Sequence, residues 1–258
     1  MNKQDLSKMG RAYVALTDIE GTPCIRKKGA SDVEINFYKF AASNLKRINT
    51  PKLLRVTQDD LFIEYIPNRM GLEQLQTNSN MFQQIAHLHL SQYSLTFEVK
   101  KHEWSDSATD IAFQALKLSK DEQYAVKHIQ SKSSELFEYP GLISGDTNDG
   151  NWGTRSNGEL VLFDWERFGK GSPAIDLAPL VKGLGSITDY EEVIEKYVPY
   201  NPSLSIQELK RHLIIAKCWI IVEVVNLLLS RGNPAASTYI NWYRSNVPDW
   251  VVSVRKRL

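Results

Sequence analysis

The first part of the chain alternates apolar and polar residues with a period of two, which is the spacing expected of β-strands. The alternation predicts four strands, at residues 12–17, 22–27, 53–56 and 61–66. Turns are predicted at Glu20-Gly21 and at residues 58–60. Between the two strand pairs, apolar residues follow a helical spacing from the capping residues Ser31 and Asp32 to Leu45. This region is therefore predicted to be a small antiparallel sheet with one helix.

From Gly71 onward, apolar residues recur with the period of 3.6 that indicates amphipathic helices. Met81, Ile85 and Leu88, for example, fall on one helix face. Helices are predicted over residues 81–90, 108–137 and 190–197. The larger part of the chain is thus expected to be helical.

The most apolar stretch of the chain, residues 213–229, has the composition of a membrane span. Lys217, Glu223 and Asn226 interrupt it, however, and it falls slightly short of the ~20 apolar residues that a span usually needs. We therefore expect a buried core helix that ends at Gly232-Asn233-Pro234.

The composition of the 258 residues is ordinary for a globular protein, with 42% hydrophobic and 24% charged residues. A net charge of +1 gives no reason to expect nucleic acid or a membrane surface as a partner. Cys24 and Cys218 are far apart and lack the spacing of metal ligands. Because the N-terminal residues show no secretory signal, we expect a cytoplasmic protein.

Residues 144–167 contain a pattern of polar residues that carries chemistry. Asp146 is followed five positions later by Asn151, in a loop rich in Asp and Asn. After a short turn, the apolar run 160–163 is predicted to be a strand that ends at Asp164. A carboxylate that can act as a base, a metal ligand five positions on, and a second metal ligand at a strand end form the arrangement that protein kinases use for phosphoryl transfer.

The chemistry of phosphoryl transfer explains these residue types, because it depends mainly on positioning and neutralisation of charge. Asp146 is suited to accept the proton of an attacking hydroxyl group, while Asn151 and Asp164 offer the hard oxygen ligands that Mg²⁺ prefers. An EF-hand is excluded, because Asn151 and Asn157 stand where its Gly and Glu should be. A plain Asx-rich turn explains the loop alone equally well, but it does not explain the strand and Asp164 that follow.

Three segments resemble the aminoglycoside phosphotransferase and choline kinase superfamily. They are the catalytic loop, the Asp-Trp-Glu metal-binding segment and the segment that follows it, at residues 142–151, 163–166 and 172–178. The resemblance implies that Asp146 is the catalytic base and that Asn151 and Asp164 bind Mg²⁺. It also implies that Asp176 is a structural brace for the catalytic loop.

The same resemblance implies an α+β, two-lobed protein-kinase-like fold, with a small antiparallel-sheet N-lobe carrying one helix and a larger, mainly helical C-lobe. The N-lobe would be residues 1–66, the hinge residues 67–70 and the C-lobe residues 71–258. The implied cofactors are ATP (or GTP) and Mg²⁺. The implied acceptor is a hydroxyl group of a small, often cationic molecule such as an aminoglycoside, choline or thiamine, and the protein would be a monomer or a dimer.

A kinase also needs a cation for the nucleotide phosphates, held by a carboxylate on the N-lobe helix. Glu34 is the candidate carboxylate. Alternation along the strand places Arg26 and Lys28 on one face and Lys27 on the other. The resemblance favours Arg26, with Lys28 as the alternative, so a pair between one of them and Glu34 is predicted. Two more nucleotide contacts are predicted at the strand end before the hinge, from Glu64 and Ile66.

Acidic and aromatic residues are the candidates for recognising a cationic acceptor. The main candidates are Asp149, Glu166, Trp219 and Glu223, and further ones are Trp242, Tyr243, Asp249 and Trp250. Trp219 and Glu223 are four positions apart, so they share a helix face and combine a cation–π surface with a charge. Ordinary packing is the alternative for the tryptophans. Glu166 is favoured because its motif places it beside the metal site.

Two features depart from the superfamily. Ser144 occupies the position where it usually has His, two residues before the catalytic Asp. The segment expected to cover the nucleotide phosphates, residues 6–12, contains only Gly10 as a glycine. These departures keep open a kinase-like module that binds a nucleotide or ligand without catalysis. A kinase acting on proteins is disfavoured, because no long activation segment separates Asp164 from Asp176.

Overall fold

The computed structural model describes residues 12–58, 60–231 and 235–258. The β-strands are β1 (Tyr13–Ile19), β2 (Thr22–Lys28), β3 (Leu53–Val56), β4 (Asp60–Glu64), β5 (Asn68–Arg69), β6 (Leu142–Ile143), β7 (Trp152–Thr154), β8 (Leu160–Leu162) and β9 (Gly169–Lys170). The α-helices are α1 (Asp32–Asn36), α2 (Leu72–Gln76), α3 (Ser79–His89), α4 (Asp106–Leu116), α5 (Lys120–Gln130), α6 (Ser134–Phe137), α7 (Ala174–Leu177), α8 (Ile187–Tyr197), α9 (Ile206–Ser230) and α10 (Ala236–Arg255).

Three predicted features fall wholly or partly on residues outside those ranges. The expected phosphate-covering segment, residues 6–12, lies outside the described residues except for Ala12. Asp59, in the predicted turn at residues 58–60, and the predicted helix end at residues 232–234 also lie outside them.

Strands β1 to β4 form an antiparallel sheet in the order β1-β2-β4-β3 within the described residues. Glu20 and Gly21 join β1 to β2 with positive φ angles of 51° and 83°, and the Gly21 N–H donates to Asp18 Oδ1 at 2.7 Å. Positive angles at both central residues are typical of a two-residue hairpin turn. The predicted small antiparallel sheet is confirmed, together with the α+β fold class.

The helix of this region begins where the capping signal predicted. The Ser31 side chain accepts the backbone N–H of Glu34 at 3.2 Å, which satisfies one of the free N–H groups at the helix start. Helix α1 continues as a π-helical segment, Phe37–Ala41, which carries the buried side chains of Phe37 and Tyr38. Glu34 is only 1% exposed.

A second antiparallel sheet, in the order β5-β7-β8, fixes the position of the polar loop. Trp152 pairs with Leu162, and the Phe163 N–H donates to the Asn151 carbonyl at 3.0 Å. This register places Asn151 beside Phe163, one residue before Asp164. The two candidate metal ligands are therefore brought together by a short hairpin.

The chain divides into two compact units. The first contains the described residues up to Lys101 together with Gly141–Gly169, and the second contains His102–Pro140 and Lys170–Leu258. The whole polar motif of residues 144–167 therefore lies in the first unit, with both sheets described above. The predicted hinge at residues 67–70 also lies inside the first unit, and the predicted lobe boundaries stay a prediction.

The second unit is helical, and one prediction about it was wrong. The continuous helix expected over residues 108–137 is three helices, α4, α5 and α6. Lys117 adopts a left-handed conformation (φ 56°) that ends α4, and Ser119 and Glu122 form a reciprocal capping box that starts α5. The Ser-x-x-Glu signal was present in the sequence, and it outweighs the continuous helical spacing.

Helix α9 is the core of the second unit. It is the one described helix that is long and apolar enough to cross a membrane, but 61% of its most apolar window is buried inside the protein. Helices α4, α5, α7, α8 and α10 all contact it. Its buried Lys217 donates to the carbonyls of Val181 and Gly183, at 2.9 and 3.0 Å. These contacts are those of the core helix that the sequence predicted.

Candidate active site

The loop around Asp146 is held by bonds to its backbone as well as to its side chains. Gly145 takes a positive φ of 78°, and its carbonyl accepts a hydrogen bond from Arg167 Nε at 3.1 Å. The Trp152 indole N–H donates to the Thr147 carbonyl at 3.1 Å. The loop is therefore tied to the residues that follow it in the chain. Ser144, where a His was expected, is fully buried.

Asp146 lies in this loop with a defined side-chain partner. Asn148 Nδ2 donates to Asp146 Oδ1 at 2.5 Å. Burial raises the pKa of Asp146 to about 6, against the opposing effects of the Arg167 charge and the Asn148 hydrogen bond. A carboxylate with a pKa slightly below neutrality is ionised at pH 7 and is matched to general-base catalysis.

Asn151 and Asp164 converge as the hairpin register requires. The Asn151 side chain is 8% exposed, and its Nδ2 donates to the Asp146 carbonyl at 3.0 Å, which leaves its amide oxygen as the ligand atom. Asp164 has a positive φ of 67°, an uncommon conformation for a residue with a side chain. Strain of this kind concentrates at functional sites.

Asp164 is linked to the N-terminal sheet through Lys27. Lys27 Nζ donates to Glu34 Oε1 at 2.6 Å and to Asp164 Oδ1 at 2.7 Å. Burial lowers the pKa of Lys27, but the two carboxylates raise it more, so the net shift is upward and the ammonium group stays charged. A buried cation between two carboxylates, one of them a candidate metal ligand, is suited to bind phosphate groups.

The predicted pair of Arg26 or Lys28 with Glu34 is therefore wrong, and Lys27 takes that role. In the antiparallel sheet, paired residues point to the same face, and Lys27 pairs with Leu61 of β4. Lys27 therefore lies on the same face of the sheet as Leu61, which is the apolar inner face. Arg26 points the other way and donates to Asp60 Oδ2 at 2.7 Å, while Lys28 is exposed. The alternation was visible in the sequence, but the face that Glu34 would adjoin was not.

Glu64 and Ile66, predicted as nucleotide contacts, lie at the end of β4 and just beyond it. The Glu64 carboxylate is bound by Arg155, whose Nε and NH2 donate to Oε1 and Oε2 at 2.8 and 2.7 Å. Despite partial burial, which raises it, the pKa of Glu64 is lowered by these bonds. Its side chain therefore has a structural partner, and the nucleotide contacts of Glu64 and Ile66 stay a prediction. Ile66 is 6% exposed.

The predicted substrate residues are divided between the two units. Asp149 is exposed and Glu166 half-buried, and both lie in the first unit with Asp146. Trp219 and Glu223 lie on α9, in the second unit. The fully buried Asp176, on α7, belongs to the second unit as well. The bracing role of Asp176 stays a prediction.

Trp219 is a packed core residue. It is 2% exposed, its indole N–H donates to the Glu103 carbonyl at 3.1 Å, and its ring meets His102 and Phe137 edge-on at 5.7 and 5.2 Å. These contacts favour the packing alternative over cation recognition. Glu223 is half-buried on the same helix.

Three residues of the site were missed by sequence reasoning: Lys27, Asn148 and Arg167. Each has a polar contact to a predicted site residue or to its loop. Arg167 directly follows the Asp-Trp-Glu segment, and Asn148 lies between Asp146 and Asn151, so both stood within the motif. Their contacts could not be predicted, because the sequence does not show in which direction each side chain points.

The donor set for a metal is small. No group of three or more His, Cys, Asp or Glu side chains with metal-site geometry occurs among the described residues. Asn151 and Asp164 provide an amide oxygen and a carboxylate. Such a pair fits Mg²⁺, which usually takes one or two carboxylates and completes its shell with water and substrate phosphates.

Comparison of the sequence with family models and with curated protein sequences finds no match. Solved structures do match. LicA in complex with AMP is 14% identical with a TM-score of 0.66, covering 98% of this chain and 92% of LicA. A choline/ethanolamine kinase family protein from Mesorhizobium loti is 17% identical with a TM-score of 0.66, again over 98% and 92%.

An aminoglycoside phosphotransferase gives a similar match. A thermostable mutant of aminoglycoside phosphotransferase APH(4)-Ia is 15% identical with a TM-score of 0.62, covering 98% of this chain and 94% of that one. At such low identity the likeness concerns the fold. The chain thus has the kinase-like fold shared by aminoglycoside phosphotransferases and choline/ethanolamine kinases, as the sequence predicted.

Proposed function

We propose that this protein is an ATP- or GTP-dependent, Mg²⁺-dependent phosphotransferase that transfers the γ-phosphate to a hydroxyl group of a small molecule. One observation carries the proposal: the ion-paired network of Lys27, Glu34 and Asp164 adjoins the loop that holds Asp146 and Asn151, because the N–H of the residue before Asp164 donates to the Asn151 carbonyl. A phosphate-binding cation, two oxygen ligands and a base are the parts that phosphoryl transfer requires.

The face of the sheet that carries Lys27 supports nucleotide binding. Leu16 pairs with Ile25 on that face, two positions from Lys27, and is 41% exposed. An exposed apolar side chain beside a phosphate-binding cation is suited to cover a purine ring. The AMP bound to LicA, which has the same fold, supports an adenine nucleotide over other ligands.

In the proposed reaction, each polar residue has a separate task. Lys27 neutralises the nucleotide phosphates, and Asn151 and Asp164 hold Mg²⁺, which neutralises the charge that develops on the transferred group. Asp146 accepts the proton of the acceptor hydroxyl, for which its ionised state at pH 7 is required.

The acceptor is proposed to be cationic, because two acidic residues lie close in the sequence to Asp164 and Asp146. Glu166 lies two residues after Asp164, and the exposed Asp149 lies three residues after Asp146. Both carboxylates belong to the same compact unit as the base. Trp219 is not part of this proposal, because its ring is packed in the core.

Two measurements test the proposal. Thermal shift with ATP or GTP, with and without Mg²⁺, is expected to show metal-dependent stabilisation. A phosphate-transfer screen against aminoglycosides, choline, thiamine, homoserine and sugars is expected to identify an acceptor. With that acceptor, Asp146→Asn is expected to lower kcat by at least about 100-fold while the protein stays folded.

The results separate the proposal from its alternative. Turnover that persists unchanged in folded Asp146→Asn would overturn the assignment of the base. Nucleotide binding with no transfer to any acceptor would favour a catalytically degenerate binding module, the alternative that Ser144 keeps open.

A further inference from the structure

Asn148 connects the candidate base to the backbone of its own loop. Its Nδ2 donates to Asp146 Oδ1 at 2.5 Å, and its Oδ1 accepts the backbone N–H of Gly150 at 2.8 Å. The direction of the amide is fixed by chemistry, because a carboxylate needs a donor and a backbone N–H needs an acceptor. Both ends of the Asn148 amide are therefore used.

The Gly150 end of this connection is itself held. Arg69 NH1 donates to the Gly150 carbonyl at 2.7 Å, and the Arg69 guanidinium lies 4.7 Å from the centre of the Phe163 ring. A Cβ atom added at Gly150 would lie 2.8 Å from Asn148 Oδ1, so any other residue would displace the amide. Only glycine leaves room for the observed contact.

We propose that Asn148 is a positioning residue that holds the carboxylate of Asp146 in its working orientation, an inference that rests on the proposed function. By engaging Oδ1, the Asn148 amide restricts rotation of the carboxylate, together with the Asn148 backbone N–H, which bonds the same group. Small errors in the placement of a reacting group reduce the rate strongly. Asn148 acts through Asp146 and does not itself contact the reacting atoms.

Asn148→Asp isolates this role from a purely structural one. The variant keeps an oxygen that can accept the Gly150 N–H, but it replaces the donor to Asp146 by a second carboxylate. We expect kcat at pH 7 to fall by about 100-fold with unchanged KM for the nucleotide. Because two carboxylates at this distance repel each other, we also expect the kcat–pH profile to move to higher pH and the thermal stability to fall modestly. Asn157→Asp is the matched control, because Asn157 makes the same type of bond, to the Glu159 N–H at 3.0 Å, in an exposed turn.

Gly150→Ala gives an independent test, because it displaces the Asn148 amide without changing it. It is expected to lower kcat in the same direction as Asn148→Asp. Asn148→Asp with wild-type kcat would overturn the inference. So would equal losses of kcat in Asn148→Asp and Asn157→Asp, since the exposed turn has no contact with the base.

A structural measurement keeps the two proposals separable. If the wild-type protein transfers no phosphate from MgATP to any screened acceptor or to water, the proposed function fails. Crystal structures of the wild type and Asn148→Ala then decide the positioning role. We expect the Asp146 carboxylate to rotate or become disordered in Asn148→Ala, and an unchanged orientation would overturn the inference.

Discussion

Lys27 and Glu34 form a buried ion pair, with Nζ and Oε1 2.6 Å apart and side chains 9% and 1% exposed. The pair joins strand β2 to helix α1, and Lys27 extends it to Asp164 at 2.7 Å. At such burial, water cannot easily solvate one of the two charges if the other is removed. The pair therefore affects the stability of the protein as well as phosphate binding.

Replacing Lys27 with Met is expected to lower the unfolding free energy by about 3 kcal/mol, because Glu34 would remain buried without its cation. Urea denaturation measures this loss. Lys28→Met is the matched control, since Lys28 is an exposed neighbour on the same strand, and its change is expected to stay within about 0.5 kcal/mol. Equal effects of the two substitutions would contradict the pairing.

The pair of Arg155 and Glu64 is expected to depend on the shape of the guanidinium group. Arg155 binds both carboxylate oxygens of Glu64 and also donates to the Thr50 carbonyl at 2.9 Å. Arg155→Lys keeps the charge but loses the two parallel hydrogen bonds of the guanidinium group. It should lower the unfolding free energy, measured by urea denaturation, by about 1.5 kcal/mol. A double-mutant cycle with Glu64→Gln should give a coupling energy above about 0.5 kcal/mol, and a value near zero would argue against the pair.

The sequence predicted the parts of the site that are close together in the chain. Asp146, Asn151 and Asp164 lie within one loop and one hairpin, so their spacing alone indicated their proximity. Glu34 was also found, because the capping residue Ser31 placed the start of its helix.

Contacts between distant segments were not predictable in the same way. The choice of Lys27 over Arg26 depends on which face of the sheet meets helix α1, and this is decided by packing. The pairing of Glu64 with Arg155, separated by 91 positions, similarly depends on how strand β4 meets the hairpin β7–β8. Sequence periodicity gives the face of an element but not the partner of that face.

Gly153 is expected to be essential for the close approach of β5 to β7. A Cβ atom at this position would lie 2.5 Å from the Asn68 carbonyl oxygen and 2.9 Å from Ile66 Cγ2. Because the first contact is with backbone, Gly153→Ala should separate the strands and destabilise the protein by about 1–3 kcal/mol in urea denaturation. It should also weaken nucleotide binding, because the segment at Ile66 is predicted to contact the nucleotide.

Gly71→Ala is the control for this substitution. The nearest atom to a Cβ at Gly71 is Gln74 Oε1 at 3.8 Å, which is an ordinary contact, although some helix-capping preference is lost. Gly71→Ala is expected to lower the unfolding free energy by less than about 1 kcal/mol. If Gly153→Ala were as mild as Gly71→Ala, the packing of β5 on β7 would not depend on glycine.

His212 links three segments of the second unit. Its Nε2 faces Glu135 Oε2 at 3.4 Å and its Nδ1 lies 2.8 Å from Ser172 Oγ. Ser172 Oγ also accepts the Ala174 N–H at 3.2 Å. In the neutral tautomer that directs Nε2–H at Glu135, Nδ1 is an acceptor and the serine hydroxyl donates to it. Burial lowers the pKa of His212, and the nearby charges are those of Glu135, Arg211 and Glu208. Protonation would place a hydrogen on Nδ1, so the Ser172 hydroxyl could no longer donate to it.

The contribution of His212 to the stability of the protein is therefore expected to decrease as the pH falls below about 6.5, the ordinary pKa of His in an unfolded chain. Because the folded-state pKa is lowered, the unfolded state binds the extra proton, so the stability is complete above that pH and is lost through the folded pKa. One such proton gives a slope of at most about 1.4 kcal/mol per pH unit. In urea denaturation from pH 5 to 7.5, the unfolding free energy of the wild type minus that of His212→Gln should decrease as the pH falls. This difference isolates His212, because all other titrating groups, Asp146 among them, are common to both proteins. Parallel curves would show that His212 is not the group responsible.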